Sequence, residues 1–306
     1  MSIQLPAPLR GVITAMITPL LEPDTLDVVG LEKLIDHLIH GGVNGLFILG
    51  TTGEAPALSY KTRREVIQHT CRHNAERLPV IVGITDTSLT EAVNLARFAT
   101  DSGAHALVVA MPYYFASSQG ELVTYVQHLA AQVPLPLFLY NAPSNVHHVL
   151  GLDAVRKLSE LPNIAGLKDS GFNMIYFHKL VWLFRDRPDF TLLVGPEELT
   201  GEAVLLGGHG GMCGGSNIYP KLYVDLYKAA AAGDLPELNR LHSRIMQISS
   251  TVYRVAPEDS SYLRGMKCAV SLKGICRDVM AEPFQAFGPV EREQVRRHMI
   301  AAGLLD

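Results

Sequence analysis

Gly11-Val12-Ile13-Thr14-Ala15-Met16-Ile17-Thr18-Pro19 is the stretch on which the fold turns. It reads as a strand over Gly11–Ile17 and runs into Thr18-Pro19 without a glycine. A doubly wound open sheet usually carries a glycine fingerprint just after its first strand, so that the backbone can approach a pyrophosphate. That rival therefore loses its main support. Seven more apolar runs rich in Val, Ile and Leu follow: Gly45–Leu49, Val80–Ile84, Ala106–Ala110, Leu135–Tyr140, Ile164–Lys168, Phe190–Val194 and His209–Cys213. Continuous rather than alternating apolar runs belong to parallel strands buried on both faces. Between them lie Leu26–His40, Ser59–Glu76, Ser88–Asp101, Gln119–Gln132, Leu152–Glu160, Met174–Asp186 and Glu198–Leu206, most with one apolar and one polar face. Eight strand–helix units predict an α/β chain closed as a (β/α)8 TIM barrel.

The run from Gly207 to Gly215 surrounds the eighth strand instead of joining a strand to a helix, and reads as tight turns. No further strand is expected after Tyr219, where Leu235–Val255, Ser261–Ile275 and Val290–Ala302 have helical spacing. Residues 1–218 are thus expected to form the barrel, and residues 219–306 its last helix and a C-terminal helical extension. A length of 306 residues suits one large barrel.

Composition narrows the partners. Hydrophobic residues make up 48% of the chain, enough for a large core. Charged residues make up only 18%, so much of the surface is expected to be covered by packing or by other subunits. A net charge of −4 leaves no basic footprint for nucleic acid. No apolar run is long enough for a bilayer, and Met1 to Arg10 lack the apolar core of a signal peptide. Cys71, Cys213, Cys268 and Cys276 form no C-x-x-C and suggest no disulfide framework. These features predict a soluble cytoplasmic protein with neither a nucleic-acid nor a membrane partner.

Barrel enzymes place their chemistry at the C-terminal ends of the strands. Those ends read Gly50-Thr51-Thr52-Gly53-Glu54, Pro112-Tyr113-Tyr114-Phe115, Tyr140-Asn141-Ala142-Pro143, Gly166-Leu167-Lys168-Asp169-Ser170 and Gly195-Pro196-Glu197-Glu198. Lys168 closes an apolar strand, where desolvation disfavours the ammonium, as an amine nucleophile requires. Its bland reading is a strand-end lysine that reaches solvent or pairs with Asp169. Tyr140 ends the adjacent strand, and a phenol beside an amine can move protons during carbinolamine formation and dehydration. In Gly50-Thr51-Thr52-Gly53 the flanking glycines are expected to free the backbone, so that successive N–H groups and hydroxyls cradle a carboxylate. The bland alternative is a turn into the next helix, with Ser59 as its N-cap.

Together, Gly50-Thr51-Thr52-Gly53-Glu54, Tyr140-Asn141-x-Pro143 and Gly166-Leu167-Lys168-Asp169-Ser170 resemble the dihydrodipicolinate synthase/N-acetylneuraminate lyase family, from about Gly11 to the C-terminus. The resemblance implies a class I aldolase-type lyase, often a homotetramer built from dimers, with neither metal nor organic cofactor. It implies that Lys168 forms an imine with the C2 carbonyl of pyruvate or another 2-oxo acid, and that Tyr140 is the proton-transfer phenol. Thr51 and Thr52 would hold the carboxylate and join the proton relay. Tyr114 matches the tyrosine that completes this relay across a subunit contact. Gly50, Ser170 and Gly195 fall within the motifs lining the substrate.

Departures from the family pattern bear on the aldehyde. Dihydrodipicolinate synthases carry an arginine two residues after the proline of Tyr-Asn-x-Pro, where it grips the carboxylate of aspartate semialdehyde; here that position is Asn145. A neutral amide cannot replace a charge-assisted contact typically worth about 1.5–3 kcal/mol. His147 stands where relatives usually have glycine, and either contacts substrate or fills the rim. Glu197 and Glu198 resemble the acidic pair with which the sialic acid lyase branch binds hydroxyls, although carboxylates opening a helix also complement its dipole. The expectation is a lyase, aldolase or dehydratase, acting on a 2-oxo, 3-deoxy sugar acid and releasing or using pyruvate. The alternatives are 4-hydroxy-tetrahydrodipicolinate synthase, against which Asn145 counts, and a non-catalytic 2-oxo-acid binding protein, for which an intact nucleophile is unnecessary.

Overall fold

A computed structural model describes residues 4–305. Its centre is a closed barrel of eight parallel strands: Gly11–Ala15, Gly45–Ile48, Val80–Gly83, Ala106–Ala110, Leu137–Asn141, Ile164–Asp169, Thr191–Val194 and Gly210–Cys213. All but Ala165 of these strand residues are buried, which is why the runs show no alternation of apolar and polar positions. The first strand pairs with the second through Ile13 and Gly45, and with the eighth through Gly11 and Gly210. That closing seam explains part of the glycine run. Gly210 has φ +152°, and a side chain there would overlap the Gly11 carbonyl.

Helices return the chain between strands, and their starts follow local chemistry. Ser59 accepts from Thr62 N–H at 3.2 Å to open Tyr60–Asn74, as its N-cap reading requires. Ser118 and Glu121 form a reciprocal capping box at Gln119–Ala130. Two elements depart from the expectation. A small antiparallel hairpin, Leu20–Glu22 with Thr25–Leu26, follows the first strand; its turn uses Asp24 at φ +61°, a conformation Asp tolerates. A one-turn helix, Pro143–Val146, follows the fifth strand with proline at its start.

The C-terminal segment completes the barrel. Helix Pro220–Ala232 packs between Thr200–Leu205 and Leu235–Thr251, and one continuous buried cluster runs from Leu9 to Leu304. Helix Ser261–Leu272 and the stretch around Ala281 reach the turn that follows the second strand: Lys267 and Glu54 form an ion pair with both side chains wholly buried, and Ala281 N–H donates to Glu54 at 2.8 Å. Among the described residues no helix is long and apolar enough to cross a membrane.

Candidate active site

Parallel pairing sets Tyr140 beside Lys168 in the register of the fifth and sixth strands, so the two side chains share one row. Lys168 is only 4% exposed. Its Nζ lies 4.3 Å from the centre of the Tyr140 ring and 5.0 Å from that of Phe47. Burial alone would push the Tyr140 phenol up, yet the net direction is down. The Lys168 charge and hydrogen bonds from Ser170, Thr51 and Lys168 itself outweigh it. An amine, a phenol inclined to ionise and two hydroxyls are thereby gathered around one point, and proton exchange between amine and phenol needs no outside base.

The surroundings keep this point open and rigid. A side chain at Gly195 would overlap the Ser170 hydroxyl and crowd Lys168 Cε, so glycine lets the seventh strand end against Lys168. Asp169 accepts from the Asn141 amide at 2.7 Å and from Gly171 N–H at 3.1 Å, and Asn141 in turn accepts from Leu150 N–H at 3.1 Å. This chain ties the sixth strand to the far end of the loop bearing Asn145 and His147. Burial raises the Asp169 pKa despite those donors.

The threonine turn is built differently from the expectation. Neither Gly50 nor Gly53 has a positive φ; the left-handed residues are Leu49 at +57° and Glu54 at +56°. The glycines serve close approach instead: a side chain at Gly50 would strike the Phe47 ring, and one at Gly53 would crowd Leu49 N and Met16 O. Glu54 holds its uncommon backbone conformation while tethered to Lys267 and Ala281. Thr51 is exposed and bonded to Tyr140, whereas Thr52 is buried and bonded to Tyr262.

Other expected site residues are scattered. Tyr114 is 77% exposed, its ring edge-on to Phe115, and in a single chain it belongs to the surface. Asn145 and His147 are exposed on the rim, with His147 at φ +58° ending the short helix. That left-handed backbone is the physical reason a glycine suits the position. Glu198 is half-buried and borders a groove with Leu238 and Met246, between helices Thr200–Leu205 and Leu235–Thr251. Glu197, expected to reach hydroxyls of a substrate, is 4% exposed and occupied internally. It accepts from Gly215 N–H at 2.7 Å, Tyr223 at 2.7 Å and Tyr253 at 2.8 Å. Sequence reasoning missed Phe47, one apolar residue in an apolar strand run, and also Tyr223, Tyr253, Tyr262 and Lys267, because nothing in their spacing places three late helical segments against the strand ends. Among the described residues no group of His, Cys, Asp or Glu could hold a metal ion.

The model of the dihydrodipicolinate synthetase family matches residues 8–302. This chain belongs to that family. As a dihydrodipicolinate synthetase family member it is a lyase of the class I aldolase type, in which a lysine holds pyruvate as a Schiff base without a separate cofactor. It is 31% identical over 296 residues to the 4-hydroxy-tetrahydrodipicolinate synthase of Aromatoleum aromaticum, covering 97% of this chain and 99% of that one. A solved structure of dihydrodipicolinate synthase from Bacteroides thetaiotaomicron superposes with TM-score 0.95 at 51% identity, over 97% and 99% of the two chains. YagE, a prophage protein of the family from Escherichia coli K12 solved in complex with pyruvate, gives TM-score 0.90 at 29% identity over 96% and 99%. The (β/α)8 expectation and the family resemblance both hold. The sugar-acid substrate finds no support in these relatives, which favour the alternative.

Proposed function

We propose that this chain joins pyruvate, held on Lys168, to an aldehyde in the manner of a 4-hydroxy-tetrahydrodipicolinate synthase. The observation that carries the reading is the buried Lys168 amine beside a Tyr140 phenol that Thr51 and Ser170 hydrogen-bond. The descriptions of the curated relatives support the same direction. Lys168 Nζ adds to the pyruvate C2 carbonyl, and Tyr140 passes the amine proton to the departing hydroxyl, which leaves as water. The iminium so formed draws electrons from C3, and loss of a C3 proton yields an enamine. Its C3 then bonds to the aldehyde carbon, whose oxygen takes up a proton, and water hydrolyses the imine to release the product and the free amine.

Thr52 and the Gly50 turn hold the pyruvate carboxylate, while Thr51 continues the relay from Tyr140. Ser170 and Gly195 wall the reacting carbon. Tyr114, exposed in one chain, joins the relay from a second copy, which requires at least a dimer and fits a tetramer made from dimers. A relative described as the first monomeric dihydrodipicolinate synthase variant supports an oligomeric norm.

Asn145 favours a second reading. With a neutral amide where the family's arginine would grip a carboxylate, the aldehyde would be an uncharged hydroxyaldehyde, and the reverse reaction would cleave a 2-oxo sugar acid. Borohydride trapping with pyruvate, read by peptide mass spectrometry, tests the shared chemistry. A reduced pyruvyl adduct on Lys168, absent in Lys168→Ala, is expected; no adduct with pyruvate or larger 2-oxo acids removes the mechanism. Turnover with aspartate semialdehyde then supports the first reading, and turnover only with hydroxyaldehydes the second.

A further inference from the structure

Glu197 sits directly behind the site but takes no part in the chemistry just described. It follows the seventh strand, and four other parts of the chain converge on it or its partners. Gly215 comes from the turn after the eighth strand, Tyr223 from helix Pro220–Ala232, Tyr253 from the turn after Leu235–Thr251, and Tyr262 from helix Ser261–Leu272. Gly215 N–H donates to one carboxylate oxygen, and the Tyr223 and Tyr253 hydroxyls donate to the other. The Tyr253 ring stands edge-on to Tyr262 with centroids 4.8 Å apart, and the Tyr262 hydroxyl bonds to Thr52. The glycines of the eighth-strand turn are fitted around this group. A side chain at Gly214 would strike the Tyr262 hydroxyl, and one at Gly215 would strike the Tyr223 hydroxyl and Glu197. A buried carboxylate, two buried phenols and the half-buried Tyr262 thus run from the seventh strand to the threonine turn.

We propose that Glu197 is a positioning residue for pyruvate, acting through Tyr253 and Tyr262 on Thr52. The inference rests on the pyruvate-holding role given to Thr52 above. Three donors meeting two oxygens suit an ionised carboxylate, which accepts all of them; a protonated one must turn an oxygen into a donor and break or reverse a bond. Burial first, and the Glu198 charge second, push the Glu197 pKa up to about 7 against its three donors. The other titratable groups facing it are Tyr223, Tyr253, Tyr262 and Cys213, the last also within reach of the Lys168 charge. Burial raises all four, so they remain neutral while Glu197 titrates. The sign follows: pyruvate binding is tightest above the Glu197 pKa and weakens as pH falls through it.

The test is borohydride trapping of the full-length protein across pyruvate concentrations at several pH values between 6 and 8.5, with wild type, Tyr262→Phe, Glu197→Gln and the double variant. Tyr262→Phe should raise the half-saturating pyruvate concentration about tenfold, leaving the trapping rate at saturation within about twofold. Glu197→Gln should raise it in the same direction and flatten its pH dependence. Because both act along one chain, the double variant should be no worse than the poorer single variant. A purely structural role would lower the melting temperature and leave half-saturation unchanged, which overturns the proposal, as would independent additive effects. Should Glu197→Gln fail to fold, Tyr253→Phe takes its place, since it breaks the link between Glu197 and Tyr262; half-saturation as in wild type would overturn the proposal. Absence of any adduct in wild type would instead sink the imine reading itself, so the two failures are distinct.

Discussion

Replacing Lys267 with methionine should remove an ammonium of similar length from a site where it is wholly buried. Three consequences follow from its contacts. Glu54, 3% exposed, keeps among the described residues only the Ala281 N–H as a donor, at 2.8 Å, and becomes an uncompensated buried charge. The Val279 carbonyl loses the donor that Lys267 supplies at 2.7 Å. The left-handed Glu54 backbone, φ +56°, loses the pair that holds it. Breaking a buried pair from one side typically costs about 3–5 kcal/mol, which dominates the loss of one carbonyl bond at about 1 kcal/mol. Urea unfolding followed by far-ultraviolet circular dichroism should therefore show about 4 kcal/mol of destabilisation. Adding Glu54→Gln removes the stranded charge while keeping an acceptor for Ala281, so the double variant should recover to within roughly 1 kcal/mol of wild type. A single variant within 1 kcal/mol of wild type, or a double variant as unstable as the single, would refute the argument.

Tyr140→Phe should leave pyruvate binding in place but slow imine formation by about 10²–10⁴, measured by stopped trapping; an unchanged rate would take the phenol out of proton transfer. Asn145→Arg should lower the KM for aspartate semialdehyde by about 10–100-fold if that aldehyde enters beside the short helix, and coupled turnover assays would show whether it does. His147→Gly should stabilise the fold by about 1 kcal/mol, because glycine adopts the left-handed φ without strain; a fall in melting temperature would mean that the imidazole packs or bonds more than its exposure implies.

The barrel was legible because each strand is buried on both faces and leaves an unbroken apolar run; strand bounds moved by one or two residues. Lys168 and Tyr140 could be paired from sequence because adjacent parallel strands end level, so two strand-terminal side chains meet. The internal bonding of Glu197 is hidden in the sequence for a physical reason. A carboxylate beside a strand end looks free to bind substrate, and only the folded C-terminal helices reveal three hydrogen bonds already filling it. The sequence suggests that Gly50 and Gly53 free the backbone for an anion cradle, yet close packing against Phe47 and Met16 accounts for them. Sequence marks where a side chain is missing, but not whether space or torsion demanded its absence.

The contact between Ala281 and Glu54 joins residues 227 positions apart. A ribosome making about 5–20 residues per second needs roughly 10–45 s to cover that interval. For most of that time the nascent threonine turn has a carboxylate without its counter-charge, and Thr52 waits for Tyr262. The strands that carry Lys168 and Tyr140 are already synthesised by then, but the partners that brace the threonine turn beside them are not. On the function proposed above, a chain made just past Lys168 would carry its amine beside a threonine turn not yet braced, and the cradle for a 2-oxo acid would be organised only when translation is nearly complete.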